Sequence, residues 1–303
     1  MENHNFGSFK TSVINTAKVC SLLKSLSVLE VSGEDAETFL HGQFTNHIKN
    51  LDDTFRLAAY CQPQGRILAL MRVFKKDDHY YLIIPCDLVA GFVKRLSMFI
   101  LRSKVQIRVA DDFSVLGLVN PEIALPESNH VLHNGEMTIA RVADWESQKR
   151  TMVIGKTENV LDRFKPEEDE AFWFRSEIET GTPWVFEKTK EAFIPQWINL
   201  ELIGGLVFDK GCYPGQEIIS RMQHIGSTPR RMILIESETA LELLPGDDVF
   251  EAENAIGKVV MSAIVDNRTE TLASVSLKSL EAGTFLAKGA QFKARALPYS
   301  LSK

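Results

Sequence analysis

The eight residues Lys210-Gly211-Cys212-Tyr213-Pro214-Gly215-Gln216-Glu217 constrain this chain more than any other stretch, because two turn-forming glycines, a helix-starting proline and a candidate nucleophile fall together there. Proline suits the first position of a helix, where its missing N–H is not needed, and Gln216 and Glu217 put polar and acidic groups into the first turn. The run Glu217 to Gln223 therefore reads as a helix, with Cys212 just ahead of its N-terminus and Lys210 close by. Exposed helix N–H groups and a neighbouring ammonium both favour thiolate over thiol. Local chemistry alone leaves the plainer reading open, in which the cysteine is a small buried hydrophobe.

Upstream, the chain reads as two α+β lobes. Residues before about Cys20 are polar and mixed and predict a loosely held lead-in, with structure beginning near Leu26. Ser27 to Ser32 alternates like a strand, and Glu34 to Gly42 reads as a short helix with acids at its start and glycine at its end. Arg56 to Tyr60 and Arg66 to Phe74 flank the turn Gln62-Pro63-Gln64-Gly65 as a hairpin, and His79 to Pro85 follows as a third strand. Leu88 to Leu101 carries a helical stripe at Val89, Phe92, Val93, Leu96 and Ile100, and Val105 to Val109 closes the first lobe as a strand. Strands are predicted again at Ser114 to Val119, Thr138 to Arg141 and Thr151 to Gly155, and a helix at Ala171 to Thr180 after the charged junction Lys165 to Glu170. From Pro229 onward short strands alternate with turn residues such as Pro245-Gly246 and Asp266-Asn267, which predicts a small β-barrel without a long helix. The resulting division is 20–110 for the first lobe, 111–230 for the second with the cysteine octet, and 231–303 for the barrel.

Length and charge exclude several functions. At 303 residues the chain exceeds the size of a single core, which agrees with several packed units. A net charge of −6 argues against a broad grip on nucleic acid. The local basic set Lys210, Arg221, His224, Arg230 and Arg231 is either a solvated face or a seat for a small polyanion. Cys20, Cys61, Cys86 and Cys212 form no Cys-x-x-Cys pair and have no companion histidines at zinc spacing, so no metal site is expected and reduced thiols fit best. The start lacks a basic region followed by an apolar core, and no stretch approaches 18 apolar residues, so a cytoplasmic protein without membrane contact is expected.

The octet resembles the Lys-Gly-Cys-Tyr-x-Gly-Gln-Glu signature of the YgfZ family, folate-binding proteins of iron–sulfur cluster assembly related to the T protein (aminomethyltransferase) of the glycine cleavage system. Phe193-Ile194-Pro195-Gln196, Asn199-Leu200, Gly204-Gly205 and the closing Leu297-Pro298-Tyr299-Ser300-Leu301 extend the likeness, and Ser32-Gly33 to Gln43 resembles a segment shared by both protein types, with Asp35 and Gln43 as its polar residues. Capping and turn formation account for Asp35 by themselves. The resemblance implies an aminomethyltransferase-like α+β fold, two antiparallel-sheet and helix lobes plus a small C-terminal β-barrel, around a central folate pocket. Trp173 matches a tryptophan that contacts folate, although a core aromatic would serve as well at that position. Glu179, in Ile178-Glu179-Thr180-Gly181, matches the glutamate that hydrogen-bonds the pterin, and Arg231 matches a basic stretch near the folate. The functional group implied is the Cys212 thiol, with Lys210 beside it.

Two departures bear on the reaction. The family's second folate tryptophan falls at Leu26, which offers area but no ring and implies weaker folate binding. Where T-type enzymes carry a Gly-Gly-x-x-Asp-Asp element, this chain has Gly65-Arg66-Ile67-Leu68-Ala69-Leu70, without either carboxylate. That argues against a classical enzyme. The resemblance thus implies a folate-binding accessory factor that assembles or repairs iron–sulfur clusters in client enzymes, supports tRNA methylthiolation indirectly and matters under oxidative stress. Its partners would be those clients or cluster carriers. The alternative is a tetrahydrofolate-dependent aminomethyltransferase or demethylase. A cysteine hydrolase pairing Cys212 with His224 is a third class, for which no orienting residue or oxyanion motif is legible.

Overall fold

The computed structural model describes residues 7–11, 18–225 and 228–301. The chain opens with two short strands, β1 (Ser8–Thr11) and β2 (Val19–Leu22), which join sheets built from much later residues. They correct the expected start of structure near Leu26. Four-residue strands carry too little periodicity to be legible, and both are held by distant partners: β1 lies parallel to Ser262–Val265 and β2 antiparallel to Leu116–Val119.

The first lobe comprises β3 (Leu26–Ser32), α1 (Ala36–His41), β4 (Arg56–Cys61), β5 (Ile67–Lys76), β6 (His79–Pro85), α2 (Val89–Ser97) and β7 (Gln106–Val109). Its antiparallel sheet has the order β4-β5-β6-β3-β7. Alternation along β3 divides its side chains between two cores: Leu29 and Val31 meet Phe92 and Leu96 of α2, while Leu26 and Val28 face the centre of the molecule. The stripe read along α2 is the face that packs, but the helix stops at Ser97, short of the expected Leu101, which adopts a left-handed φ of +48°. Asp35 precedes α1 yet does not cap it; its carboxylate accepts the Lys104 backbone N–H at 2.7 Å and so ties α1 to the loop before β7.

In the second lobe, β8 (Phe113–Val119), β9 (Val131–Asn134), β10 (Met137–Arg141), β11 (Arg150–Lys156), α3 (Thr157–Arg163) and α4 (Glu170–Glu179) follow in order. The sheet runs β2-β8-β11-β10-β9, so β2, which the boundary at residue 20 would assign to the first lobe, belongs here. β9 and α3 were not expected from the sequence. The charged junction ends in an N-cap, with Asp169 accepting the Ala171 N–H at 2.8 Å. Seven of the ten residues of α4 are buried, among them Trp173, Phe174 and Glu177. A helix buried around most of its circumference lies inside the molecule rather than on one of its faces. α4 touches β1, β2 and β8 as well as the C-terminal strands, which makes it the shared axle of the structure.

After α5 (Gln216–Ile225), the C-terminal part contributes β12 (Arg230–Ser237), β13 (Asp248–Glu251), β14 (Asn254–Val265), β15 (Arg268–Ser276), β16 (Thr284–Ala287) and β17 (Ala290–Arg295). The order β14-β13-β16-β17-β12-β15 closes through β14–β15 pairing into a barrel, with β1 added outside β14. Helical residues among those described in this part are confined to the 3-10 turn Leu277–Ala282. The fold is the expected α+β arrangement of two sheet-and-helix lobes and a small barrel. One continuous apolar core joins them at the centre, with Leu26, Met152, Phe174 and Met232 from four different parts of the chain.

Candidate functional site

The cysteine loop is held at both ends. Gly204 and Gly205 enter a socket formed after α1: Asn46 Nδ2 donates to the Gly204 carbonyl at 2.6 Å and Thr45 Oγ1 to the Gly205 carbonyl at 2.7 Å. Lys210 Nζ donates to the His41 carbonyl at 2.6 Å and to the Phe44 carbonyl, placing an ammonium at the C-terminal end of α1, where the helix dipole favours a cation. Burial lowers the Lys210 pKa to about 8. On the far side of Cys212, Gly215 has a φ of +84°, and a Cβ there would lie 2.6 Å from the Gln62 carbonyl oxygen, so the loop rests backbone to backbone on the β4–β5 turn. Gln196 Nε2 donates to the Ile219 carbonyl at 2.7 Å and fixes the first turn of α5. Tyr213 is buried beneath the Lys210 ammonium, 4.9 Å from ring centroid to nitrogen. Between these anchors Cys212 is exposed.

Two features differ from the sequence reading. The helix begins at Gln216, with Pro214 and Gly215 forming a turn ahead of it. Lys210 is directed at the carbonyls of His41, at the end of α1, and of Phe44 just after it, so its role here is to anchor the loop. Near that anchor, His41 and His47 stack with centroids 5.7 Å apart, and His47 Nε2 lies 3.0 Å from Asp209 Oδ1. His41 Nδ1 accepts the Ile48 N–H at 3.2 Å, and burial followed by the Lys210 charge lowers its pKa to about 4, so it stands neutral at pH 7. None of these polar residues was legible as part of the loop's setting, because more than 150 positions separate Asn46 from its partner Gly204. The His224 side chain lies outside the described residues, and the other members of the basic set disperse: Arg231 and Lys210 are buried at separate anchors, while Arg230 stacks on Trp197.

The four thiols differ sharply in access. Cys61 is fully buried and its pKa is pushed far up; burial raises Cys20 and Cys86 to about 11. Cys212 alone is exposed. Mass-spectrometric mapping with limiting iodoacetamide at pH 7 should therefore find Cys212 modified first, and earlier labelling of Cys20 or Cys86 would contradict this arrangement.

The residues matched to folate contacts are already engaged within the protein. Trp173 is 0% exposed; its ring packs against Gly117 of β8 so closely that no Cβ would fit, and the Arg150 guanidinium lies 4.8 Å from its centroid. The expected open stacking face is corrected accordingly, because α4 runs through the core. Glu179 is gripped at both oxygens by Arg295, at 3.0 and 2.9 Å. Arg231 donates to the Gln196 carbonyl at 2.9 Å and pairs with Glu201. Leu26 is buried in the same central core. In this arrangement these residues do not fit a bound folate: the ring is covered, the carboxylate is bidentately paired and the guanidinium has its anion. Ala69 and Leu70, where the acids of T-type enzymes are missing, are buried in β5 and paired across the sheet with Tyr60 and Ala59.

An ion triad missed by the sequence reading lies next to Trp173. Glu177 accepts from Arg150 Nη2 at 2.8 Å and from Arg72 Nη2 at 3.1 Å, with all three side chains at least nine-tenths buried. Arg150 also donates to the Ser176 carbonyl and to Thr180 Oγ1, and burial lowers its pKa to about 10, which leaves it charged at pH 7. The available signal was Arg72, a lone charge in the apolar run Ile67 to Phe74; Glu177 gave no such signal, because Arg175 and Ser176 stand beside it. The family-like Asn199 and Tyr299 are structural: Asn199, at φ +61°, bonds both backbone groups of Met232, and Tyr299 donates to the Gly181 carbonyl at 2.9 Å.

No family model matches the sequence. The chain is 25% identical over 246 residues to the tRNA-modifying protein YgfZ of Colwellia psychrerythraea, covering 76% of this chain and 75% of that protein. It is 26% identical over 308 residues to the tRNA-modifying protein YgfZ of Cronobacter sakazakii, covering 93% of each. To the protein of the same name from Buchnera aphidicola it is 29% identical over 249 residues, covering 76% of this chain and 78% of the other. Among solved structures, the glycine cleavage system aminomethyltransferase T of Bartonella henselae superposes with a TM-score of 0.71 over 94% of this chain and 87% of that one, at 12% identity. That likeness shows an aminomethyltransferase-like fold. Among the described residues, no group of three or more His, Cys, Asp or Glu side chains is placed to hold a metal, and no helix is long and apolar enough to cross a membrane.

Proposed function

Proceeding from a chain of the YgfZ family on an aminomethyltransferase-like fold, we propose that this protein is a folate-binding accessory factor that sustains iron–sulfur enzymes, including those that methylthiolate tRNA. The observation that carries the reading is the exposed Cys212 on a loop clamped by Lys210 and Gly215, the one accessible thiol among four. A fixed, solvent-facing sulfur at the junction of the first lobe and α5 suits contact with a client's cluster site, where a thiolate can ligate iron or exchange with a disulfide. The printed name of the relatives supports a link to tRNA modification. The apolar, sheet-paired Ala69 and Leu70 speak against aminomethyl transfer, since neither side chain can accept a hydrogen bond or a proton. Folate is the ligand that the sequence resemblance implies; Glu179 is paired with Arg295 in this structure, so the residues matched to the folate contacts do not themselves carry that part of the reading.

A strain from which the gene has been deleted should lose methylthiolated tRNA, measured by nucleoside mass spectrometry, and regain it when the chain is restored. The purified protein should show no transfer of formaldehyde or aminomethyl groups to tetrahydrofolate above the buffer rate. Turnover in that assay would support the tetrahydrofolate-dependent aminomethyltransferase or demethylase instead.

A further inference from the structure

We infer that the cavity between α2 and segment 187–191 is a binding site for a small monocarboxylate with an apolar body, held by Arg95. The cavity has a volume of about 230 Å³. Sites for drug-sized ligands span about 300–1,000 Å³, so the occupant here is smaller than those. The cavity lies on the α2 side of the first sheet. Leu68, Leu88 and Phe92, its apolar wall, belong to the core beneath α2 and not to the central core that joins the three units. The site is thus separate from the Cys212 loop and from the residues matched to folate contacts, and the inference stands independently of the function proposed above.

The outer wall is fastened to the first lobe at two points. The Glu187 N–H donates to Asp87 Oδ2 at 3.0 Å and the Glu191 N–H to the Ile67 carbonyl at 2.8 Å, with Glu191 held at a left-handed φ of +65°. Arg95 stands in the last turn of α2 and lines the cavity. Its guanidinium is in hydrogen-bond contact with the Tyr60 hydroxyl, but its Nε is shut off from solvent and has no hydrogen-bond partner. A buried donor without an acceptor costs free energy that a ligand oxygen recovers. A carboxylate is the acceptor whose shape matches, one oxygen taking the Nε–H and the other an Nη–H in the fork of a bidentate pair. The remaining charges limit the ligand. Lys190 is already paired with Glu187, and Glu191 adds another acid to the lining. A second carboxylate on the ligand would meet these two acids, so the site selects a monoanion, and the wall of Leu68, Leu88 and Phe92 takes its hydrocarbon part.

The test is a titration of the full chain at pH 6 with 4-methylpentanoate, followed by 1H–15N NMR, with 4-methylpentanamide and glutarate as comparison ligands. The Arg95 Nε–H resonance is assigned by its disappearance in Arg95→Lys. 4-Methylpentanoate should shift that resonance saturably with a Kd of about 1 mM, the range open to so small a ligand. The amide, which lacks the charge, and glutarate, which brings a second one, should each bind about tenfold more weakly or worse. Arg95→Gln, confirmed as folded by thermal unfolding, should lose about tenfold in affinity for 4-methylpentanoate, and Arg95→Lys, which keeps the charge but not the fork, should fall between it and the wild type. The absence of a saturable shift at Arg95, equal binding of acid and amide, or glutarate binding as tightly as 4-methylpentanoate overturns the proposal. Unchanged affinity in folded Arg95→Gln overturns it too; if that variant does not fold, the wild-type shift and the comparison of the three ligands decide the matter.

Discussion

Glu177→Gln should lower the folding stability by about 3–5 kcal/mol, the usual consequence of leaving buried charges without their counter-ion. The glutamine has nearly the same volume, so packing around α4 is preserved and the effect isolates the charge. Arg150 and Arg72 would each lose an anionic partner at 2.8 and 3.1 Å, in a region where neither guanidinium can recover solvation. Arg72 belongs to the first lobe and Arg150 to the second, so this single carboxylate joins both sheets to the central helix. A loss of that size is a large share of a typical stability of about 5–15 kcal/mol. Urea unfolding followed by tryptophan fluorescence reads it directly, and a midpoint equivalent to less than about 1 kcal/mol of change would mean that the triad is solvated.

Cys212→Ser should leave the unfolding midpoint and circular dichroism spectrum unchanged while abolishing the support of iron–sulfur enzymes in the cell. The side chain is exposed, and the loop is held by Asn46, Thr45, Lys210 and Gly215, none of which bonds the sulfur. Oxygen for sulfur is a small change in volume, but serine supplies neither a thiolate ligand nor a redox-active sulfur at neutral pH. In the deletion strain, the variant should restore neither tRNA methylthiolation nor resistance to oxidants, a deficit comparable to the deletion itself. Full restoration by the serine protein would remove the thiol from the mechanism and return the weight to one-carbon chemistry.

Much of the candidate site was legible because it is written locally. The octet states its own turn, its helix and its cysteine, and the structure places Cys212 in the open ahead of α5. The partners of the other site residues were not. Glu179 reads as a free carboxylate until β17 delivers Arg295 from 116 positions away, and Trp173 reads as a stacking platform until β8 brings Gly117 against its ring. Lys210 reads as a neighbour of Cys212, since two positions separate them, yet its ammonium reaches across to α1.

By itself the sequence determined the longer elements and the fold class, though not the short β1, β2, β9 and α3. Alternation in β3, the turn-bounded apolar runs of β5 and β6, the 3.6-residue stripe of α2 and the turn residues after Pro229 are properties of neighbours along the chain, and local sterics and burial act on them before any lobe is assembled. Only the tertiary structure decided which strands pair and which charges meet. The addition of β1 to β14, the transfer of β2 to the second sheet, the Arg72–Glu177–Arg150 triad and the Glu179–Arg295 pair all depend on contacts between residues far apart in sequence. Such contacts are selected by the packing of three units around α4, because a buried charge or an open strand edge is stable only where the assembled molecule supplies its partner.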